Sequence, residues 1–292
     1  AANDGSGGTD SENINITVTA VNDAPVLNGI ESSPLSYNEN AVPTPVTSSI
    51  TISDVDNINL SSASVAITSN YQNGQDVLSF TNANGITATW NATTGVLSLS
   101  GSSSLANYQT ALRNVLYQNT SNNPSTLTRT VSFTVSDGTA SSNTVTRNIS
   151  IIAANDPPVA SSVNISPADN RTGILNTGNY TYTDHEEDPE GTSTYKWYRS
   201  ATSDGAGAVA ISGATGKTYT PSLNDGGNYI CFEVTPIDNK GGIGTPVKST
   251  FKYINAAPVA SGAYIYVPPA GAEVGQTIRG RFTYSDKESN AS

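Results

Sequence analysis

The chain is 292 residues long, with 13 basic against 24 acidic residues and a net charge of −11. That balance excludes the basic stripe a nucleic-acid binder needs, and no apolar run approaches the roughly 18 residues of a membrane helix. The one cysteine, Cys231, excludes an intramolecular disulfide, so stability must come from core size or bound metal. With 36% hydrophobic and only 13% charged residues, the chain lacks the high charge of a disordered segment. Its short alternating apolar runs in a Thr, Ser and Asn background predict many short strands with tight turns. The length predicts two or more domains. No signal-peptide pattern and no methionine occurs, so the segment is expected to be internal to a longer precursor.

In chain order, the first predicted strand runs from Asn13 to Val21, with Ile14, Ile16 and Val18 on one face. Ser104 to Leu116 is the best helix candidate, with Leu105, Tyr108, Leu112 and Leu116 at helical spacing. Two further strands follow, one on Val131, Phe133 and Val135, the other on Val145, Arg147, Ile149 and Ile151.

These elements sit in a repeat. Three similar joints occur, at Asn22-Asp23-Ala24-Pro25, Asn155-Asp156-Pro157-Pro158 and Asn255-Ala256-Ala257-Pro258. Proline has no backbone donor and a fixed φ, which suits an extended link between modules. Asp4-Gly5 and Asp137-Gly138 each precede their joint's Asn by 18 residues, and Asp238 precedes Asn255 by 17. Acid-rich runs follow the joint prolines by 26 to 29 residues: Asp54-Val55-Asp56, Asp184-His185-Glu186-Glu187-Asp188, and Asp286-Lys287-Glu288. The layout predicts that residues 1–22 close a preceding module and that 23–154 and 155–255 are complete modules. Residues 256–292 open a third of the second one's type, since Thr181-Tyr182-Thr183-Asp184 matches Thr283-Tyr284-Ser285-Asp286. The expected fold is all-β: tandem antiparallel β-sandwiches in an elongated array.

Two readings of the acids are open. Surface carboxylates keep a protein soluble; carboxylates gathered where modules meet are also what calcium takes, through six to eight oxygens.

Residues 23–154 resemble the bacterial cadherin-like repeats of large surface adhesins. The resemblance rests on Asn22-Asp23-Ala24-Pro25, Glu39-Asn40-Ala41, Ser53-Asp54-Val55-Asp56, Thr93-Thr94-Gly95-Val96-Leu97 and Val135-Ser136-Asp137-Gly138. It implies Ca2+ held by Asn22, Asp23, Asp54, Asp56 and Asp137 at the first joint. At the second it implies Glu39, Asn155, Asp156, Asp184, Glu186 and Asp238. The mid-module acidic motif of cadherins is replaced by Gly101-Ser102-Ser103-Ser104, which implies weak sites. The third joint, left with Asn255, Asp286 and Glu288, is expected to bind calcium poorly.

Residues 155–255 resemble bacterial immunoglobulin-like domains through Lys196-Trp197-Tyr198-Arg199 and Asp225-Gly226-Gly227-Asn228-Tyr229-Ile230-Cys231. Strand parity divides the latter strand: an inward Tyr229 and Cys231 would bring Glu233 inward too, whereas Ile230, Phe232 and Val234 form an apolar face. The apolar face is expected to be the core.

No enzyme is expected. His185 is the one histidine, placed in a turn, and it stands far in sequence from Cys231. Neither a nucleophile triad nor a zinc cluster can be assembled. The resemblances imply the stalk of an extracellular bacterial cell-surface adhesin or filament, of the kind gliding bacteria use. Its partners would be neighbouring modules, with a glycan or protein ligand at a distal tip; no nucleic acid and no membrane insertion is expected. The alternative is accessory modules of a polysaccharide-degrading enzyme that bind glycan through Tyr180, Tyr182, Tyr195, Trp197, Tyr198 and Tyr219.

Overall fold

The computed structural model describes the chain except residues 1, 4, 8, 11, 257, 267–273, 275–278 and 286–292. It divides into two compact units, Ala1–Ala154 and Asn155–Ser292. Strands make up nearly all of the regular structure in both.

Unit 1 opens with a small hairpin, β1 (Ala2–Asn3) and β2 (Thr9–Asp10). Then come β3 (Val26–Asn28), β4 (Leu35–Asn38), β5 (Thr44–Pro45), β6 (Thr51–Ser53), β7 (Asn59–Ser69), β8 (Asp76–Ser79), β9 (Thr87–Asn91) and β10 (Val96–Ser104). Helix α1 (Leu105–Arg113) follows, and β11 (Leu116–Asn119), β12 (Arg129–Ser136) and β13 (Val145–Ile152) complete the unit. A six-stranded sheet in the order β4-β13-β12-β7-β10-β9 faces a three-stranded sheet, β5-β11-β8. The β4–β13 pair is parallel and its neighbours antiparallel. The core between them gathers Val65, Leu78, Leu97, Leu99, Tyr108, Leu112, Tyr117, Val131, Phe133 and Ile149, all buried.

Strand β12 follows the alternation read from sequence, with Val131, Phe133 and Val135 inward. The helix is shorter than expected. Ser104 caps it by accepting from Asn107 N at 3.2 Å, and it ends at Arg113, leaving Leu116 to open β11 and pair with Ser79 of β8. The predicted strand at Asn13–Val21 is not formed. Ile14, Ile16 and Val18 are 84%, 83% and 87% exposed, because an extended segment becomes a strand only when a neighbouring edge takes its N–H and C=O groups.

Unit 2 comprises β14 (Val159–Ser166), β15 (Asn176–Thr183), β16 (Thr194–Ser200), β17 (Val209–Ala210), β18 (Thr218–Tyr219), β19 (Asn228–Thr235), β20 (Val247–Lys248) and β21 (Lys252–Ile254). A final hairpin joins β22 (Val259–Tyr266) to β23 (Arg279–Ser285). One sheet runs β14-β15-β18; the other runs β17-β16-β19-β20, with β21 also on β19. Trp197, Ile230, Phe232, Val234 and Ile254 fill the space between them.

The apolar face of β19 is therefore the core face. The opposite face is covered as well: Cys231 is fully buried with Sγ 3.2 Å from Ser249 O, and Glu233 is nearly buried. The feared unpaired carboxylate does not arise. Tyr198 Oη donates to Glu233 Oε1 at 3.0 Å and Lys248 Nζ lies 3.7 Å from Oε2.

Candidate metal centres

The site residues of unit 1 converge on one end of its sandwich. The loop after β6 turns sharply because Asp54 Oδ1 accepts the backbone N–H of both Asp56 (3.1 Å) and Asn57 (3.0 Å). Asp56 Oδ2 then accepts Asp23 N at 3.1 Å. Asn22 bridges two loops: its Nδ2 donates to Asp137 Oδ2 at 2.9 Å and its Oδ1 accepts Asn57 Nδ2 at 2.8 Å. Asp137 Oδ1 takes the N–H groups of Thr139 and Ala140 at 2.6 and 2.7 Å. Those bonds hold the Asp137 carboxyl below the usual carboxylate range. Burial works the other way on Asp54, but the N–H groups of Asn57 and Asp56 win and lower it.

Unit 2 repeats the main bonds of this wiring at equivalent residues. Asn155 Nδ2 donates to Asp238 Oδ2 at 2.8 Å, and Asp156 N donates to Glu186 Oε2 at 3.2 Å. Asp184 Oδ1 accepts the N–H of Glu186 (2.9 Å) and of Asp188 (3.2 Å), while Asp238 Oδ1 accepts those of Lys240 (2.7 Å) and Gly242 (2.9 Å). Burial raises Glu186, and the neighbouring charges of Asp156 and Asp184 add to the rise despite the bond from Asp156 N.

In both clusters one oxygen of each hub carboxylate is spent on the loop. The other, Asp54 Oδ2 or Asp184 Oδ2, is buried with no hydrogen-bond partner, as are Glu186 Oε1 and Asp188 Oδ2. Carboxylate oxygens of Asp184, Glu186 and Asp188 lie within 4.8 Å of one another. Buried, unpaired, oxygen-only donors at that spacing fit a hard cation such as calcium. Glu39 lies in unit 1, where its Oε2 accepts Ala154 N at 2.7 Å at the end of β13.

Asn57 and Lys240 escaped the sequence reading at these clusters, and Asp188 stood in the acid run without being assigned to a site. Asn57 completes the bridge to Asn22; its signal was its place directly after the Asp54-Val55-Asp56 run. Asp188 belongs to the unit 2 cluster, and Lys240 Nζ sits 2.9 Å from its Oδ1. Asp4, Asp286 and Glu288 lie outside the described residues. At the third joint, Asn255 N donates to Asn170 O at 2.6 Å.

The aromatics considered for sugar binding are mostly committed to packing. Trp197 is buried, Tyr180, Tyr195 and Tyr219 pack against the unit 2 core, and Tyr198 lies under Lys248 Nζ. His185 is exposed in a turn, and burial pushes the Cys231 thiol up.

A family profile described as the AIR9 A9 domain, of Ig-like type, matches residues 171–251. That span covers most of unit 2's sandwich and makes it an Ig-like module. Among solved structures, domains A168–A170 of titin are similar at 12% identity and a TM-score of 0.25, over 81% of this chain and 68% of that one. A β-1,2-glucanase from Parabacteroides distasonis is similar at 15% identity and a TM-score of 0.17, over 67% of this chain and 28% of that one. Likenesses this low carry no activity across. None of the curated proteins compared matches the chain.

Proposed function

We propose that this chain is a stretch of non-catalytic tandem modules from the stalk of an extracellular bacterial adhesin or filament, in which calcium bound at the carboxylate clusters stiffens the array. The observation that carries the reading is the recurrence of one wiring scheme, Asn22-Asp23-Asp54-Asp56-Asp137 and Asn155-Asp156-Asp184-Glu186-Asp238, in units of different sheet topology. Solvated surface charge has no reason to repeat the same Asn–Asp and Asp–backbone bonds at equivalent residues. Calcium would be held in the first cluster by the unpaired Oδ2 of Asp54 with the carboxylates of Asp56 and Asp137, and in the second by the unpaired oxygens of Asp184, Glu186 and Asp188. It would offset the repulsion among them.

In this reading unit 1 is cadherin-like, and residues 1–22 supply the closing strands of a preceding module. Asn15-Ile16-Thr17-Val18 stands in the repeat where Asn148-Ile149-Ser150-Ile151 stands in β13. Adhesion for gliding is the use such a filament would have.

Titration calorimetry with calcium on the intact chain tests the reading. Binding in the 10⁻⁴–10⁻³ M range typical of extracellular modules is expected. No heat of binding in millimolar calcium, with the same melting curve in calcium and in chelator, would remove calcium from the account.

A further inference from the structure

The hairpin of β22 and β23 repeats the opening hairpin of unit 2 pair for pair. In the first, Val159, Ala160 and Ser161 face Thr183, Tyr182 and Thr181; after a bulge, Asn164 and Ile165 face Asn179 and Gly178. In the second, Val259, Ala260 and Ser261 face Ser285, Tyr284 and Thr283; after the same bulge, Tyr264 and Ile265 face Arg281 and Gly280. Even the bulge residue matches, Ser162 with φ of 53° and Gly262 with φ of 61°. Because side chains alternate with a period of two, a register conserved through a bulge puts equivalent positions on the same face.

What that face does is visible in the first hairpin. Ala160, Val163, Ile165 and Tyr180 pack against Trp197, Ile230 and Phe232. Gly178 has to be glycine, since a Cβ there would lie 2.3 Å from the Phe232 ring. In the second hairpin the same face carries Ala260, Ala263, Ile265, Gly280 and Phe282, and it is bare. Ile265 is 67% and Phe282 61% exposed, and a Cβ on Gly280 would meet nothing within 4 Å.

A sheet with one apolar face is stable only when another layer covers it. We propose that this face is the docking surface for a further segment of the same polypeptide: a second sheet whose central strand lays an aromatic ring over Gly280, as β19 lays Phe232 over Gly178. A second copy of the hairpin fits less well. It would set Phe282 and Ile265 against themselves and leave the recess above Gly280 empty. This inference does not rest on calcium.

The test replaces residues 286–292 with a second copy of residues 184–256, so that the chain continues after Ser285 as unit 2 does after Thr183. An added cooperative melting transition is expected, with chymotrypsin cleavage at Phe282 slowed at least tenfold. Gly280→Val should abolish the added transition in the extended chain yet leave the melting of the original chain unchanged. Pairing Gly280→Ala with leucine at the grafted copy of Phe232 should keep the transition, since the smaller side chain makes room. Three results would overturn the proposal. One is an extension that adds no transition and leaves Phe282 as cleavable as before. Another is an extended Gly280→Val chain that melts like its parent. The third is dimerisation of the original chain that Phe282→Lys disperses, which would make a second copy the occupant.

Discussion

At the scale of single residues, the strongest commitment in unit 1 is a buried ion pair. Arg129 Nε lies 2.9 Å from Asp76 Oδ2 with both side chains fully buried, and Tyr117 Oη and Asn119 Nδ2 donate to Asp76 Oδ1 at 2.6 and 2.7 Å. Removing one partner strands the other charge, which costs about 3–5 kcal/mol. Arg129→Met should therefore cost unit 1 that much in denaturant unfolding, and Arg129→Met with Asp76→Leu clearly less. Equal losses would show that packing, not the stranded charge, sets the cost. Glu31 gives a pH signature. Burial alone would raise its pKa, but donation from Thr47 Oγ1 (2.6 Å), Ser48 N (2.8 Å) and Ser48 Oγ (2.9 Å) brings it down to about 2. Its folded pKa lies below the ordinary 4.5, so its stabilisation is present above that pH and drains away as the pH falls towards 2. Glu31→Gln should lower the melting temperature at neutral pH and flatten the fall between pH 4.5 and 2. Parallel curves for variant and parent would rule this out.

At the scale of elements, α1 shows how a local signal and a distant one divide the work. Ser104 caps the helix, and Tyr108, Ala111 and Leu112 bury its inner face. Ser104→Ala should cost about 1 kcal/mol through the lost cap, whereas Leu112→Ala should cost about 2–5 kcal/mol through the cavity. Calorimetric melting of the two variants checks the order; a cap variant as damaging as Leu112→Ala would mean that the helix stands on its N-terminus rather than its packing. The helix end was misread because Leu116 continues the helical spacing, and only the edge of β8 turns it into a strand residue. The same logic, reversed, explains Asn13–Val21, a strand pattern with no partner edge among the described residues.

At the scale of the whole molecule, each unit has its own core, so two melting transitions are expected. Ligand linkage gives about 2.7 kcal/mol per site at 100 times Kd, and weak sites in millimolar calcium give about 1 kcal/mol or less. On our functional reading, chelator should lower each transition by a few degrees. Asp54→Asn should make the unit 1 transition insensitive to calcium while leaving unit 2 responsive, and Asp184→Asn should do the opposite. If either variant silences both transitions, or neither, the two clusters are not the separate sites the wiring suggests.

Much of this was legible in the residues themselves, because it depends on short-range chemistry. Alternation in Val131-Ser132-Phe133-Thr134-Val135 reads as a half-buried strand wherever it occurs, and the repeated Asn-Asp joints and acid runs mark equivalent loops in successive modules. Their all-β character followed directly. Tertiary structure decided whatever depends on a second layer. It buried both faces of β19 by bringing Tyr198 and Lys248 to Glu233, and drew Asn57, Asp188 and Lys240 into the clusters. It also paired Asp76 with Arg129 across 53 residues of chain. Contacts of that separation leave no periodicity in a sequence; they exist only once the sheets have closed on each other and excluded water from between them.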